Sequence, residues 1–178
     1  MGLTLLTGGA RSGKSLLAVR TAAAQKQPVT LIATAEARDE EMRAKIARHQ
    51  AGRPESWRVV EEPIEVAHAL AGTPEEHLVV IDCLTLWVSN LIERGLDTEE
   101  IGALAADAAK RAAARAATTL VVTNEVGDGI VPMDPATRAY RNLMGIVNAT
   151  FAQAADRVLL VVAGRVLPLS RAEEVMEP

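Results

Sequence analysis

The sequence predicts an α/β fold: a mostly parallel sheet with helices on both faces and an antiparallel edge strand near the C-terminus. Three observations predict it. Five short apolar runs, LTLLT (3–7), VTLIA (29–33), LVVID (78–82), TLVVT (119–123) and RVLLVVA (157–163), are unbroken rather than alternating, as strands covered on both faces require. Helical stretches separate them, at roughly 14–26, 39–51, 63–71, 84–95, 98–117 and 135–155, and repeated strand–helix units build a parallel sheet. The last apolar run is followed at once by AGRVLPLS, too soon for a parallel crossover, so that segment turns back antiparallel.

Element by element, LTLLT opens the sheet and a glycine-rich turn leads into SLLAVRTAAA. Asp39, Pro63 and Asp97 stand where helix starts are expected. SWRVVEE (56–62) offers a further strand. No linker, repeat or low-complexity block divides the chain, so one catalytic domain is expected over 1–170, with RAEEVMEP (171–178) as a loose tail.

Composition narrows the function. Of 178 residues, 49% are hydrophobic but only 2% aromatic by count of Phe, Trp and Tyr, so the core is aliphatic, and Trp57 and Trp87 read as packing before base stacking. Net charge is −4 and no basic tract stands out, which argues against a nucleic-acid partner. Cys83 is the sole cysteine, so there is no internal disulfide, and no Cys/His cluster has metal-ligand spacing. No leader pattern or membrane-length apolar run appears, and a soluble cytoplasmic protein is expected.

The strongest chemical signal is GGARSGKS. Gly8, Gly9, Ala10, Arg11, Ser12, Gly13, Lys14 and Ser15 fit G-x-x-x-x-G-K-[ST] between a strand and a helix. Glycines let backbone N–H groups turn in around a phosphate, and the helix N-terminus adds partial positive charge. Lys14 suits the outer phosphates of a triphosphate and Ser15 a Mg²⁺ ion. Asp82, ending LVVID, has two roles open to it: Mg²⁺ ligand, or N-cap of the next helix. Thr34, Ala35 and Glu36 follow VTLIA, and Thr123, Asn124 and Glu125 follow TLVV. Both groups therefore reach the carboxyl edge, where open α/β sheets bind ligands. A GTPase would offer Asn-Lys-x-Asp after a strand, where this chain has TNEV. A nucleoside monophosphate kinase usually carries an arginine-rich lid, whereas 126–145 holds only Arg138 and Arg141; that class stays open on these residues.

ARHQAGRP (47–54) poses a separate question. His49 stands in the last turn of a helix at helical spacing from Met42 and Ile46, between Arg48 and Arg53. By residue chemistry alone it is either a surface or packing histidine, or a nucleophile toward an α-phosphorus. In the second role it must be held neutral, and Arg48 or Arg53 would neutralise the phosphate charge.

Several ordered blocks give the chain its resemblance to a family: TGGARSGKS, RHQAGRPESWRVVEEP, IDCLTLWVSNL, VTNEVGDGIVP and ADRVLLVVAG. It resembles the bifunctional adenosylcobinamide kinases / adenosylcobinamide-phosphate guanylyltransferases of cobalamin biosynthesis. That resemblance implies a RecA-like domain forming a homotrimer. It implies phosphorylation of adenosylcobinamide with ATP or GTP, then transfer of GMP from GTP through a GMP-histidine, giving adenosylcobinamide-GDP and pyrophosphate. By position, His49 matches the guanylylated residue. Residues 8–15, Thr34, Ala35, Glu36, Gln50, Ala51, Gly52, Arg53, Glu61 and Asp82 match nucleotide-contacting segments; Glu61 alone would read equally well as an exposed carboxylate after a strand. Ser15 and Asp82 are the expected Mg²⁺ ligands. Tyr140, Asn142 and Ala149 depart from the family's pattern, and the C-terminal segment runs past its usual end. Two other classes fit parts of the sequence: a single-function kinase of a small alcohol, and a non-enzymatic P-loop regulator. Neither accounts for the His-x-x-Gly-Arg-Pro block.

Overall fold

The computed structural model describes residues 2–176, apart from the side chains of Glu41, Lys45, His49 and Ala51. In chain order the elements are β1 (Leu3–Thr7), α1 (Lys14–Ala23), β2 (Val29–Ala33), α2 (Glu40–Ala51), β3 (Arg58–Glu61), α3 (Val66–Ala71) and β4 (Leu78–Asp82). There follow α4 (Leu84–Glu93), α5 (Thr98–Ala114), β5 (Thr119–Val122), α6 (Pro135–Ala154), β6 (Arg157–Val162), β7 (Arg165–Leu169) and α7 (Ala172–Met176).

The strands form one seven-stranded sheet in the order β3-β2-β4-β5-β1-β6-β7. All neighbouring pairs are parallel except β6 and β7. That last pair turns at Ala163 and Gly164, which both take positive φ (49° and 74°), the geometry that matches a hairpin's twist. SWRVVEE does supply an edge strand, β3.

Side-chain alternation along the strands divides the core into two layers. Leu3, Leu5, Val79, Ile81 and Val121 face a layer built with α3, α4, α5 and α6, including Trp87 and Phe151. Leu6, Leu31, Val80, Leu120 and Val122 face the other, where α1 supplies Ala18 and Ala22, and Trp57 closes the edge. Both tryptophans therefore pack. Trp87 Nε1 also donates to the Ile64 carbonyl at 2.7 Å. None of the described side chains of α2 joins either layer.

Helix ends differ from the sequence expectation where side chains intervene. The third helix starts at Val66, not Pro63, because the Glu62 carboxylate accepts from the Ile64 and Glu65 N–H groups and holds a turn there. α5 stops at Ala114, before 117. The Arg115 guanidinium is buried, donating to the carbonyls of Leu70, Thr73, Pro74 and His77, and its backbone becomes extended. α1 ends at Ala23 and not at 26, since Pro28 disfavours helix just before it. α4 ends at Glu93, with Gly95 in the left-handed conformation that terminates helices. The tail carries one short helix, α7, in which no residue is buried. Among the described residues no helix is long and apolar enough to cross a membrane.

Candidate active site

The carboxyl ends of β1, β4 and β5 converge on a cleft of about 1000 Å³. The loop after β1 sets its floor. Gly8 has φ 141°, and a Cβ there would meet the Val161 carbonyl oxygen at 2.2 Å. Gly13, with φ 104°, caps α1 without any side-chain hydrogen bond, and no acid occupies the first turn. The positive end of α1 thus faces the cleft unneutralised, a setting that favours an anion.

Lys14 is 6% exposed. Its Nζ donates to the carbonyls of Gly8 (2.8 Å) and Gly9 (2.7 Å), with the Ser12 hydroxyl at 3.4 Å. Burial lowers its pKa, opposed by the charges of Cys83 and Asp82. Ser15 Oγ donates to Asp82 Oδ1 at 3.3 Å, and Arg53 Nη2 stands 3.6 Å from Asp82 Oδ2. Burial also lowers the Arg53 pKa, and Asp82 opposes the shift. Two largely buried cations and one carboxylate at the cleft suit a polyanionic ligand.

Of the residues singled out from sequence, Ala10, Arg11, Ser12, Gly13, Lys14, Ser15, Ala35, Glu36, Gln50, Arg53, Glu61 and Asp82 line this cleft. Gly8 and Gly9 act from beneath it as Lys14 acceptors. Thr34 does not reach it: its side chain is fully buried, and Oγ1 both donates to the Cys83 carbonyl (2.7 Å) and accepts from the Cys83 N–H (2.8 Å). Gly52 caps α2 and stays outside the lining. His49 and Ala51 fall within α2, but their side chains lie outside the described residues. Arg48 and Gln50, on either side of position 49, both line the cleft. Glu36 is tied to Arg94 and Arg38, which hold its carboxyl below the usual range.

Asp82 does not cap α4: the N-cap residue is Cys83, with no side-chain hydrogen bond. The Asp82 carboxylate instead faces Ser15 and Arg53. The two oxygen donors sit within one hydrogen bond of each other, as suits a hard cation that keeps several waters. Among the described residues no group of three or more His, Cys, Asp or Glu side chains could hold a metal, so such an ion would depend on phosphate and water oxygens as well.

Sequence reasoning gives Met42, Ile46, Cys83 and Leu86 no role in the site, and all line the cleft, as does Asn124, which the sequence places only at the sheet's ligand-binding edge. The signal for Asn124 is its place just past β5, the strand between β1 and β4. Its Nδ2 donates to Thr85 Oγ1 at 3.0 Å. Met42 and Ile46 are visible in the sequence only as a helical apolar spacing.

Comparisons with known proteins agree with this geometry. The chain is similar to the type III secretion ATPase EscN of enteropathogenic Escherichia coli at TM-score 0.62 and 13% identity, over 91% of this chain and 43% of that one. A prototypical type III secretion ATPase from pathogenic bacteria gives 0.58 and 11%, over 98% and 52%. These likenesses show a RecA-like P-loop fold. Closer in sequence are two curated proteins. The bifunctional adenosylcobalamin biosynthesis protein CobP of Pseudomonas aeruginosa is 40% identical over 170 residues, 93% of this chain and 95% of that protein. CobU of Escherichia coli K12, with the same description, is 40% identical over 181 residues, 91% and 96%. A family model described as cobinamide kinase / cobinamide phosphate guanyltransferase matches residues 4–169. With that match spanning nearly the whole chain, and a phosphate loop, acid and arginine meeting in one cleft, the protein belongs to the cobinamide kinase / cobinamide phosphate guanyltransferase family.

Proposed function

We propose that this enzyme phosphorylates the aminopropanol hydroxyl of adenosylcobinamide with ATP or GTP, and then transfers GMP from GTP to that phosphate. The products are adenosylcobinamide-GDP and pyrophosphate. The observation that carries this reading is the meeting, in one cleft, of the Lys14 loop, the Ser15–Asp82 pair and the end of α2 with Arg48, Gln50 and Arg53.

In the first transfer the acceptor oxygen bonds to the γ-phosphorus, the β–γ bridge breaks, and the hydroxyl proton leaves. The chain's part is positioning and charge stabilisation: loop N–H groups and Lys14 hold the phosphates. Ser15 and Asp82 would hold Mg²⁺, which when bound neutralises charge developing on the phosphoryl oxygens.

The second transfer breaks the α–β bridge. A lone pair on a neutral His49 ring nitrogen bonds to the α-phosphorus and pyrophosphate departs. The phosphate oxygen of adenosylcobinamide phosphate then displaces the histidine. Arg53, and Arg48 beside it in the cleft lining, offset the charge on the α-phosphate. Ala35, Glu36, Gln50 and Glu61 complete the nucleotide's wall, with Thr34 holding that wall from behind.

Homotrimeric assembly belongs to the same reading, and would cover an apolar strip on the terminal hairpin that includes Val162, Leu167 and Leu169. So does a cytoplasmic location, where both triphosphates are supplied.

The test is incubation with α-labelled GTP and Mg²⁺. Wild type should retain acid-labile label and His49→Asn none; equal labelling overturns the histidine assignment. Product analysis with adenosylcobinamide then separates phosphorylation from guanylylation.

A further inference from the structure

We propose that Arg38 is a positioning residue for guanylyl transfer, pinning the entry of α2 and thereby the orientation of the end that carries Arg48, His49 and Gln50. The inference rests on the reading that His49 is the nucleophile.

No described side chain of α2 enters the core, and among them only Met42 and Ile46 are half-buried, so attachments at its ends bear on the direction of this helix. At the entry, Arg38 directly precedes Asp39, the N-cap whose carboxylate accepts from the Met42 N–H at 2.7 Å. The Arg38 fork makes three attachments. Nε donates to Glu36 Oε2 at 2.9 Å, Nη2 to Asn90 Oδ1 at 2.7 Å, and Nη1 pairs with Glu93.

Asn90 makes this more than a surface cluster. It is 3% exposed, and its Nδ2 donates to the Thr34 carbonyl (2.7 Å) and the Pro63 carbonyl (3.1 Å). One buried amide therefore fixes the exits of β2 and β3 and receives the arginine that starts α2. Arg94 closes the other side, donating to Glu36 Oε1 at 2.6 Å and to the Asn90 carbonyl at 3.1 Å. Only a planar fork can meet three such partners together; a lysine ammonium, a point charge on a flexible stem, cannot.

At its far end α2 is tethered through Gly52 and the Arg53–Asp82 pair. Without Arg38 the entry keeps only the Glu36–Arg94 contact, two residues further back, and the axis is held chiefly at the far end. Position 49 stands three residues from Gly52, about 4.5 Å along the axis, so a swing of roughly 10–15° moves its backbone by about 1 Å. A displacement of that size at a reacting group can cost on the order of 100-fold. The parts of the kinase step, the Lys14 loop with Ser15 and Asp82, sit before and on α1 and on β4, and meet the end of α2 through the Arg53–Asp82 pair, the tether that Arg38→Ala leaves in place.

The experiment compares both transfers in Arg38→Ala. Expected are a roughly 30–100-fold slower formation of the labelled GMP adduct, the GTP KM within about twofold, and phosphorylation of adenosylcobinamide within about threefold of wild type. Arg38→Lys should recover part of the adduct rate, and Glu93→Gln, on the surface, should lose only a fewfold. An adduct rate like wild type in Arg38→Ala overturns the proposal. So does an equal fall in both transfers that tracks a lowered unfolding midpoint. If wild type itself forms no adduct, the reading of His49 fails, and this inference with it.

Discussion

The Ser15 hydroxyl, in the first turn of α1, donates to the Asp82 carboxylate at the end of β4 at 3.3 Å, although β1, the strand that leads into α1, is not a neighbour of β4 in the sheet. β5 lies between them, so the contact spans the cleft floor and draws two oxygen donors to one point. Both transfers should need that point. Asp82→Asn is expected to lower phosphorylation and guanylylation together by about 100-fold or more, since both develop charge on phosphoryl oxygens. Raising Mg²⁺ should restore part of the Ser15→Ala activity and little of the Asp82→Asn activity. Steady-state rates against Mg²⁺ concentration check this.

Gly8 and Gly13 both have positive φ, but only Gly8 is also crowded by backbone, with 2.2 Å from a would-be Cβ to the Val161 oxygen against 3.6 Å to Gly164 at Gly13. Gly13→Ala should cost the strain alone, on the order of 1–2 kcal/mol. Gly8→Ala must also displace β6 or the loop, and should lose more stability and most triphosphate affinity. Thermal unfolding and nucleotide titration rank the two variants.

Arg115 is a structural cation. Its side chain donates to four carbonyl oxygens between α3 and β4 and has Glu75 3.8 Å away. Arg115→Ala would remove all four bonds, with the Leu70 and Pro74 carbonyls keeping the Thr73 and His77 N–H groups, a loss of about 3 kcal/mol. Urea unfolding should show that loss, while KM for GTP stays near wild type at permissive temperature.

Tyr140 is the chain's single tyrosine, and its hydroxyl donates to the Thr85 carbonyl at 3.1 Å. Burial first, then the charge of Cys83, pushes its pKa up to about 12. The folded state therefore holds this proton where the unfolded state, at about 10, releases it. The associated stability is complete below about pH 10 and is lost as pH rises toward 12. Phenolate absorbance should titrate near 12 in the folded protein and near 10 in denaturant. Tyr140→Phe should remove the signal and the alkaline slope. A folded-state midpoint near 10 would contradict the burial argument.

How far sequence reaches depends on the kind of determinant. The loop 8–15 is legible because phosphate binding demands glycines and a lysine at fixed offsets, whatever surrounds them. The parallel sheet is legible because strands covered on both faces must be apolar throughout. Asn124 is legible only as a residue at the sheet's carboxyl edge. Its arrival in the cleft depends on β5 inserting between β1 and β4, a spatial order no local pattern encodes. The same holds for Asn90, which reads as one of several polar residues in a largely apolar helix until Thr34, Pro63 and Arg38 are brought to it. Thr34 shows the converse: it follows a strand at the binding edge, yet its hydroxyl is consumed by the Cys83 backbone. Helix ends failed at Pro63 and at 117 for one shared reason, side chains of Glu62 and Arg115 bonding backbone groups.

The turn of the terminal hairpin touches the phosphate loop: the Gly164 N–H donates to the Ser12 carbonyl at 2.9 Å, beside the close approach of Val161 to Gly8. The loop's residues are made well before the donor that holds them. A growing polypeptide thus carries its glycine-lysine motif without this brace until the β6–β7 turn has been made, and the shape of the phosphate loop is tied to a segment far along the chain from it.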